Sequence, residues 1–365
     1  AYEIHERLVG SEMCIRDRCK KITKKGEKIR NSILNLFKKE KDLSFKVIFS
    51  KIGKTLGISE NGLRKHIDKL VEQKLLNVRK EGKNNIYTPC PSVKKKFTFD
   101  SNNSLITDEK VWIDYIFPNL SNIGHSAKEI LNYAFTEMFD NVISHANASK
   151  IDVNLYVDPI QTYITVSDNG IGIFKKIKDD LNLQDEHQSL LELSKGKFTS
   201  NPKEHSGEGI FFTSKACDLF AIFSGNLFYS LSQQSDIGAF VEMENSNSSG
   251  TTVFMAVNNN TSRSLKKVFD TFTSSTEDKS FSKTIVPVKL LRYKDEGIIS
   301  RSQARRLLAR FDKFKYVILD FSGIDSIGQA FADEIFRVYV NAHPEITLTY
   351  RNANQSIKNM ISHVN

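Results

Sequence analysis

The sequence predicts an α+β protein built from several domains. Its 365 residues suffice for two or three domains, each with a buried core. Helical periodicity early in the chain gives way to apolar strands mixed with helices. Charge divides along the same line: residues 18–96 hold 23 Lys/Arg against 7 Asp/Glu, and the remainder holds 29 against 36. We therefore expect a basic N-terminal domain followed by mildly acidic domains that contain both strands and helices.

The composition excludes two classes of protein. No apolar run approaches the roughly 18 residues that a membrane span needs. The cysteines, Cys14, Cys19, Cys90 and Cys217, form neither a CxxC pair nor a His/Cys cluster, which argues against a metal site and against disulfides. We expect a cytoplasmic protein without membrane contact.

Residues 1–18, "AYEIHERLVGSEMCIRDR", match neither helical nor strand periodicity. They are similar to a translated sequencing-library adapter, and they lack the apolar core of a secretory signal. We expect this stretch to be disordered and exclude it from the fold.

Residues 19–95 predict three helices and a hairpin. In "GISENGLRKHIDKLVEQKLL", Gly57 ends one helix and Ser59 caps the next, whose leucines, isoleucine and valine form an apolar stripe. The hairpin turns at residues 81–84. The pattern resembles a winged helix-turn-helix, which implies DNA as a partner; a protein-interaction or dimerisation module is the alternative. The expected DNA contacts are Arg64, Lys65, Lys69, Arg79, Lys80 and Lys83. Residues 96–120, which follow a Pro/Ser break and a lysine run, are expected to be a linker.

The stretch "VSDNGIGIF" at 166–174 allows several interpretations. A dinucleotide-binding loop needs a third glycine where Lys175 stands, so that fingerprint fails. A hairpin at Asn169-Gly170 leaves Gly172 unexplained, because the residues that follow are helical. A ligand site at the end of a strand remains.

The helix upstream of this stretch, "HSAKEILNYAFTEMFDNVISHA", carries a carboxylate and an amide on one face. Glu137 and Asn141 lie four residues apart and therefore project about 40° from each other. An amide oxygen can coordinate Mg²⁺ while a carboxylate polarises a water molecule. Taken alone, the pair also fits the polar surface of an amphipathic helix.

Further glycine-dependent turns follow, "HSGEGIFF" with Gly207 and Gly209, then "SGTTVFMAV". Taken in order, these motifs resemble the Bergerat-fold ATPases, the superfamily of gyrase, heat-shock chaperones, histidine kinases and mismatch-repair proteins. The resemblance implies an α/β sandwich at 121–262, a mixed sheet with helices on one face, and ATP and Mg²⁺ as ligands.

The resemblance also implies roles for single residues. Glu137 would be the general base or orient water, Asn141 would bind Mg²⁺, and Asp168 would accept from the adenine amino group. Gly170 and Gly172 would pass close to the purine, Gly207 and Gly209 would offer amides to the phosphates, and Thr251 or Thr252 would support adenine recognition. Residues 175–205 would form a lid with Lys195, Lys197 and Thr199 as phosphate contacts, although a solvated loop explains these three equally well.

The C-terminal residues 263–365 predict a small α/β domain with partly parallel strands. "VILDFSGIDSIGQAFADEIF" resembles STAS-like domains related to anti-sigma-factor antagonists, in which a serine after the strand is phosphorylated. Ser322 and Ser326 are the nearest serines here, but the expected Asp-Ser-Ser-Gly turn is replaced, so we do not carry the modification over. The domain is expected to bind a protein partner or to self-associate.

We expect an ATP-dependent signalling or transcription regulator in which Mg·ATP binding and hydrolysis are coupled to the DNA-binding and STAS-like domains. "TEMFDNVISHA" most resembles the anti-sigma-factor kinases, so a serine or histidine kinase acting on its own or a partner's STAS-like domain is the alternative. A non-catalytic assembly factor that binds nucleotide without turnover is a third possibility.

Overall fold

The computed structural model describes residues 24–38, 40–198, 207–232, 235–243, 248–273, 280–292 and 296–364. Residues 1–18 and Thr199 lie outside the described residues. The chain divides into two compact units, one formed by residues 1–92 with 158–160 and the other by 93–157 with 161–365.

The first unit contains the predicted three helices and hairpin. Ser44 and Ser59 cap the second and third helices by accepting hydrogen bonds from the backbone N–H groups three residues later. The apolar stripes of the helices meet in a core that includes Ile33, Ile48 and Leu63, all fully buried. The sheet order is β1-β3-β2, with antiparallel pairs. The elements are α1 (Lys24–Leu36), β1 (Leu43–Ser44), α2 (Phe45–Ile52), α3 (Glu60–Glu72), β2 (Leu76–Glu81) and β3 (Asn84–Pro89).

The segment 96–120 is not a linker, and that expectation is wrong. Strand β4 (Val93–Asp100) pairs with the next strand along its whole length. Helix α4 (Asp108–Val111) continues into a π-helical turn (Trp112–Ile116) that buries Trp112 and Ile116. Strand β4 is difficult to recognise from the sequence because it is rich in lysine. An edge strand exposes most of its side chains and therefore tolerates charge.

The second unit is built on a seven-stranded sheet of order β4-β5-β6-β10-β7-β8-β9. Each of its six described pairings is antiparallel, whereas the resemblance implied a mixed sheet. Buried and less buried residues alternate along β5 and β6, so one face of the sheet is covered. The strands after β4 are β5 (Lys150–Val157), β6 (Gln161–Asp168), β7 (Leu219–Gly225), β8 (Leu227–Ser232), β9 (Ser235–Glu242) and β10 (Ser248–Asn258).

Helices cover that face. The longest, α5 (His125–His145), matches the predicted helix and buries eight apolar residues against the sheet and the neighbouring helices. The others are α6 (Ile173–Asp180), α7 (His187–Lys195), α8 (Gly209–Ala216) and α9 (Leu265–Thr271). The predicted α+β architecture with a large sheet and helices is confirmed.

The C-terminal part forms a three-stranded parallel sheet of order β11-β12-β13. Its buried side chains, Val317 and Phe311 among them, belong to one continuous core with those of α5 and the large sheet. The ATPase-like and C-terminal regions are therefore one packed body, which the sequence did not reveal. The elements are β11 (Lys283–Pro287), α10 (Arg301–Leu308), β12 (Tyr316–Asp320), α11 (Gln329–Ala332), a π-helical stretch (Asp333–Tyr339), α12 (Val340–Ala342), β13 (Thr347–Arg351) and α13 (Gln355–Val364).

Candidate functional site

A cavity of about 370 Å³ opens between α5, the ends of β6 and β10, and the start of α8. This volume falls within the range of small-molecule sites. The cavity brings together seven of the residues that the sequence predicted for nucleotide binding: Glu137, Asn141, Asp168, Gly172, Gly207, Gly209 and Thr251.

Helix α5 supplies the carboxylate and the amide. Ala134, Phe135 and Met138 anchor the helix in the core, which leaves Glu137 and Asn141 half-buried along the cavity. The four-residue spacing places both on one helical face, as predicted. This face combines a potential general base with a potential Mg²⁺ ligand.

Asp168 ends β6 inside the cavity. Its Oδ1 accepts a hydrogen bond of 2.8 Å from the Gly170 backbone N–H. Burial raises the pKa of Asp168, and backbone hydrogen bonds from Gly170 and Thr251 oppose that rise because they favour the ionised carboxylate. Asp168 is therefore a desolvated acceptor whose orientation is fixed by the backbone around it.

The two glycines after Asp168 have different environments. Gly172 lines the cavity and caps α6. Gly170 packs on the carbonyl of Ala146 at the end of α5 so closely that a Cβ would overlap it. Gly170 is absent from the described cavity lining, so its place in the structure is loop packing and the orientation of Asp168.

The second glycine pair begins α8 beside the catalytic candidate. A Cβ on Gly209 would overlap the carboxylate of Glu137, so a larger residue here would require that side chain to move. Burial raises the pKa of Glu208, opposed by Lys197. Burial, and then the charges of Glu137 and Glu208, raise the pKa of Tyr133. Neither Tyr133 nor Glu208 was predicted, although Glu208 stands between the two glycines.

The two candidate threonines differ in the contacts of their hydroxyl groups. Thr251 lines the cavity, and its Oγ1 accepts a 2.9 Å hydrogen bond from the Ile173 N–H. Thr252 Oγ1 donates instead to Ser167 Oγ at 3.0 Å. Adjacent strand residues point to opposite faces, so only Thr251 faces the site.

The lysines expected to contact phosphate do not line the cavity. Lys195 is fully buried, and its Nζ donates to Glu192 Oε1 at 2.6 Å and to the Ala309 carbonyl at 2.8 Å. Lys197 Nζ donates to the Lys313 carbonyl at 2.8 Å. The expectation is wrong for these two residues, because both ammonium groups bind backbone oxygens of the C-terminal region.

Asp108, Lys176 and Phe198 are among the cavity residues that the sequence did not predict. Asp108 begins α4, in the segment mistaken for a linker, and its signal was the helix cap that Thr107 provides. Lys176, on α6, forms a 3.2 Å ion pair with Asp180. Phe198 had no sequence signal, because nothing in its neighbourhood fixes where it points.

The cavity residues fit a magnesium nucleotide better than a metal held by protein alone. No cluster of three or more His, Cys, Asp or Glu side chains suited to a metal exists among the described residues. Magnesium is usually bound through one or two protein oxygens together with substrate phosphates. Asn141, together with the space left by Gly209, fits that pattern.

The basic residues expected to contact DNA lie on α3 and on the β2–β3 hairpin and are exposed. Arg64 stacks its guanidinium 3.8 Å from the centroid of the Phe45 ring. Arg79 forms ion pairs with Asp42 and Glu81. The other four residues expected to contact DNA are also exposed: Lys65, Lys69, Lys80 and Lys83.

The serines of the C-terminal domain differ in their surroundings. Ser322 Oγ donates a 2.6 Å hydrogen bond to Asp320 Oδ1 and accepts one of 2.9 Å from Asn352. Ser326 is exposed. In the part of the chain that the structure describes, no helix has the length and apolarity to cross a bilayer.

Comparison with known families places two domains on the chain. Residues 127–260 match the family of histidine kinase-, DNA gyrase B-, and HSP90-like ATPases. Residues 303–358 match a STAS-like domain of unknown function. No curated protein matches the chain. The predicted ATPase and STAS-like domains are confirmed, whereas the N-terminal winged helix stays a prediction.

Proposed function

We propose that the protein is an ATP-binding signalling regulator whose cavity binds Mg·ATP. One observation carries the proposal: the half-buried carboxylate of Asp168, the Glu137–Asn141 face of α5 and the Gly207–Gly209 turn all line one cavity of about 370 Å³. The match of this region to an ATPase family supports the same assignment. Each of these groups suits a different part of a magnesium nucleotide.

Asp168 suits the base. Its carboxylate would accept a hydrogen bond from the exocyclic amino group of adenine, while Gly170 holds the carboxyl group in place. Guanine presents a carbonyl oxygen at the equivalent position, and two facing acceptors repel. The Thr251 hydroxyl, beside Asp168 at the ends of two paired strands, completes this recognition.

The start of α8 suits the phosphates. The first N–H groups of a helix have no partner within the helix, and with the positive end of the helix dipole at Gly209 they favour an anion there. Asn141 would hold Mg²⁺, which supplies charge neutralisation to the phosphates. Glu137 would then orient a water molecule or accept its proton. Because Gly209 has no Cβ, the Glu137 carboxylate has room beside the phosphate-binding turn.

Calorimetry and turnover assays together test this proposal. Mg·ATP should bind, and Glu137→Ala should retain binding while turnover falls by roughly 10²–10⁴-fold, the usual contribution of a general base. Asp114→Ala is the matched control, an acidic residue of the π-helical turn outside the cavity lining. Absence of Mg·ATP binding would end the proposal, and normal turnover by Glu137→Ala would refute the role of that residue.

A protein kinase is the second candidate, and the environment of Ser322 favours it. A hydroxyl that donates to a carboxylate at 2.6 Å has a base in place for its proton. Labelled ATP followed by mass spectrometry separates the two functions. Label on Ser322 that is lost in Ser322→Ala and kept in Ser326→Ala would establish a kinase, and free phosphate alone would establish an ATPase.

We further propose that residues 24–92 bind DNA in the manner of a winged helix-turn-helix. The exposed lysines of α3 and the hairpin support this, since phosphate contacts supply most non-specific affinity. DNA retention should fall steeply with salt, and Lys65→Ala with Lys69→Ala should weaken it. Lys51→Ala, which removes a lysine paired with Glu40, should not. No retention at low salt would exclude DNA binding.

A further inference from the structure

The segment Gly196–Phe198 lies between the cavity and the C-terminal domain. Gly196 and Phe198 line the cavity from one side. On the other side, the carbonyls of Gly196 and Lys197 accept hydrogen bonds from Nη2 of Arg310 at 3.0 and 2.7 Å. A cation from the C-terminal domain thus holds the backbone of a cavity wall that precedes it by 114 residues.

The Arg310 guanidinium makes three contacts that only arginine can make together. Its Nη1 donates to Glu192 Oε2 at 2.8 Å while Nη2 holds the two carbonyls. Both side chains are largely buried, Arg310 at 14% and Glu192 at 6% exposure. A planar fork with fixed donor directions satisfies three acceptors at once, whereas a lysine ammonium is a single point of charge.

The backbone of Arg310 is also unusual for an arginine. It has a φ of 65°, in the left-handed region, just beyond the end of α10. Glycine or asparagine adopts this conformation at lower cost and is the common choice after a helix. Since the backbone conformation does not favour arginine, we attribute the arginine at this position to the contacts of its side chain.

A second cation fastens the same junction. Lys195 is fully buried; its ammonium donates to Glu192 and to the carbonyls of Arg306 and Ala309 at the end of α10, where the helix dipole favours positive charge. Burial lowers the pKa of Lys195 to about 8, opposed by Glu192. The Lys195 carbonyl in turn accepts from Thr284 of β11 at 2.8 Å.

The contact continues from this junction to the phosphate-binding turn. The Arg310 guanidinium lies 5.6 Å from the centre of the Phe198 ring. The backbone of Phe198 packs on Gly207 so tightly that a Cβ there would overlap it. Movement of Arg310 therefore shifts Phe198 and Gly207, both of which line the cavity.

We propose that Arg310 is a positioning residue for nucleotide binding, through which the C-terminal domain sets the affinity of the ATPase site. The inference rests on the proposed Mg·ATP function and extends it with a residue outside the matched ATPase region. Because linkage is reciprocal, nucleotide binding and the contact between the two domains stabilise each other.

The test compares the affinities of the full chain for Mg·ATP and for adenosine. Arg310→Ala should weaken Mg·ATP binding by about tenfold or more, the usual effect of losing hydrogen bonds from a charged donor. Adenosine affinity should change by less than about twofold, because Asp168 and Thr251 keep their own partners. Arg310→Lys, which keeps the charge and the ion pair with Glu192, should restore part of the Mg·ATP affinity.

Arg305→Ala is the matched control. It removes an arginine of α10, the helix that ends just before Arg310; its side chain is 71% exposed and pairs with Glu334 within the C-terminal domain. Its Mg·ATP affinity should equal that of the wild type. Thermal unfolding of each variant shows whether the fold is intact, and Arg310→Lys keeps the test decisive if Arg310→Ala unfolds.

The outcomes separate the two proposals. Equal Mg·ATP affinity in the wild type and both Arg310 variants would overturn the positioning role and leave the nucleotide site standing. Equal losses for adenosine and Mg·ATP would also overturn it, because the effect would then be general. A wild type that binds neither ligand would overturn both proposals.

Discussion

Two walls of the cavity are held in place by different parts of the molecule. The Asp168 wall, formed by Asp168, Gly172 and Thr251, is fixed by hydrogen bonds within the ATPase domain. The Phe198 wall, formed by Gly196, Phe198 and Gly207, is fixed by Arg310 of the C-terminal domain. Under the proposed function, recognition of the base would be built into one domain, whereas the opposite wall depends on a second domain. A signal that acts on the C-terminal domain would then alter the Phe198 wall and leave the Asp168 wall unchanged.

The largest effect on the Asp168 wall should come from Asp168→Asn. The substitution replaces one carboxylate oxygen with an N–H₂ donor, which opposes either the Gly170 N–H or the adenine amino group. Mg·ATP affinity should fall roughly 100-fold, because a hydrogen bond to a charged group contributes up to about 3 kcal/mol. Calorimetry measures this, with Asp152→Asn on the same sheet, outside the cavity lining, as the control. Equal losses in both variants would remove the special role of Asp168.

The affinity of the Asp168 wall should also depend on pH. Burial raises the pKa of Asp168 above its ordinary value of 3.8. Protonation turns one carboxylate oxygen into a donor and removes the charge, which weakens the bond to adenine, so affinity is full above the raised pKa and falls as the pH drops through it, by up to about tenfold per unit. Adenosine binding followed in weakly acidic buffers measures the decline, since adenosine carries no phosphate to titrate. The same decline in Asp168→Asn would assign it to another group.

A smaller effect distinguishes the two neighbouring threonines. Thr251→Val removes the acceptor of the Ile173 N–H inside the cavity and should weaken Mg·ATP binding about fivefold, as expected for one neutral hydrogen bond. Thr252→Val removes a hydroxyl that pairs with Ser167 on the other face and should change affinity by less than about twofold. The reverse order of the two losses would show that the other face of β10 contacts the nucleotide.

The smallest effect is expected for Lys197→Ala. Its ammonium donates to the Lys313 carbonyl and lies over the Phe314 ring, away from the cavity lining. Mg·ATP affinity should therefore stay within about twofold of the wild type, since a side chain outside the site with its own partners couples weakly to the ligand. A tenfold loss in equilibrium binding would return Lys197 to the phosphate site that the sequence suggested.

The sequence predicted the Asp168 wall and missed the support of the Phe198 wall for a physical reason. Glu137, Asn141 and Asp168 are fixed by helical spacing and by the end of a strand, both of which are local in sequence. A lysine next to a glycine has the same local sequence whether its side chain binds phosphate or the carbonyls of a distant helix. Lys195 was misassigned because its partners, Arg306 and Ala309, lie more than a hundred residues away.

The same limit explains the other differences in the fold. Helix caps and apolar periodicity located α3 and α5, because those signals act over a few residues. The sequence did not reveal strand β4, because its lysines are typical of an exposed edge strand and not of a buried one. The segment that follows was therefore taken for a linker, and Asp108 was not predicted as a site residue. The shared core of the ATPase and C-terminal regions depends on contacts that no local pattern encodes.

Hydrogen exchange of the full chain with and without Mg·ATP tests the two-walled nucleotide site most directly. We expect slower exchange of backbone amides in both walls, at residues 170–173 and at residues 196–198 and 207–211, and also around Arg310 in the C-terminal domain. Protection confined to the Asp168 wall would contradict the coupling to the C-terminal domain. Unchanged exchange in both walls at saturating Mg·ATP would contradict the site itself.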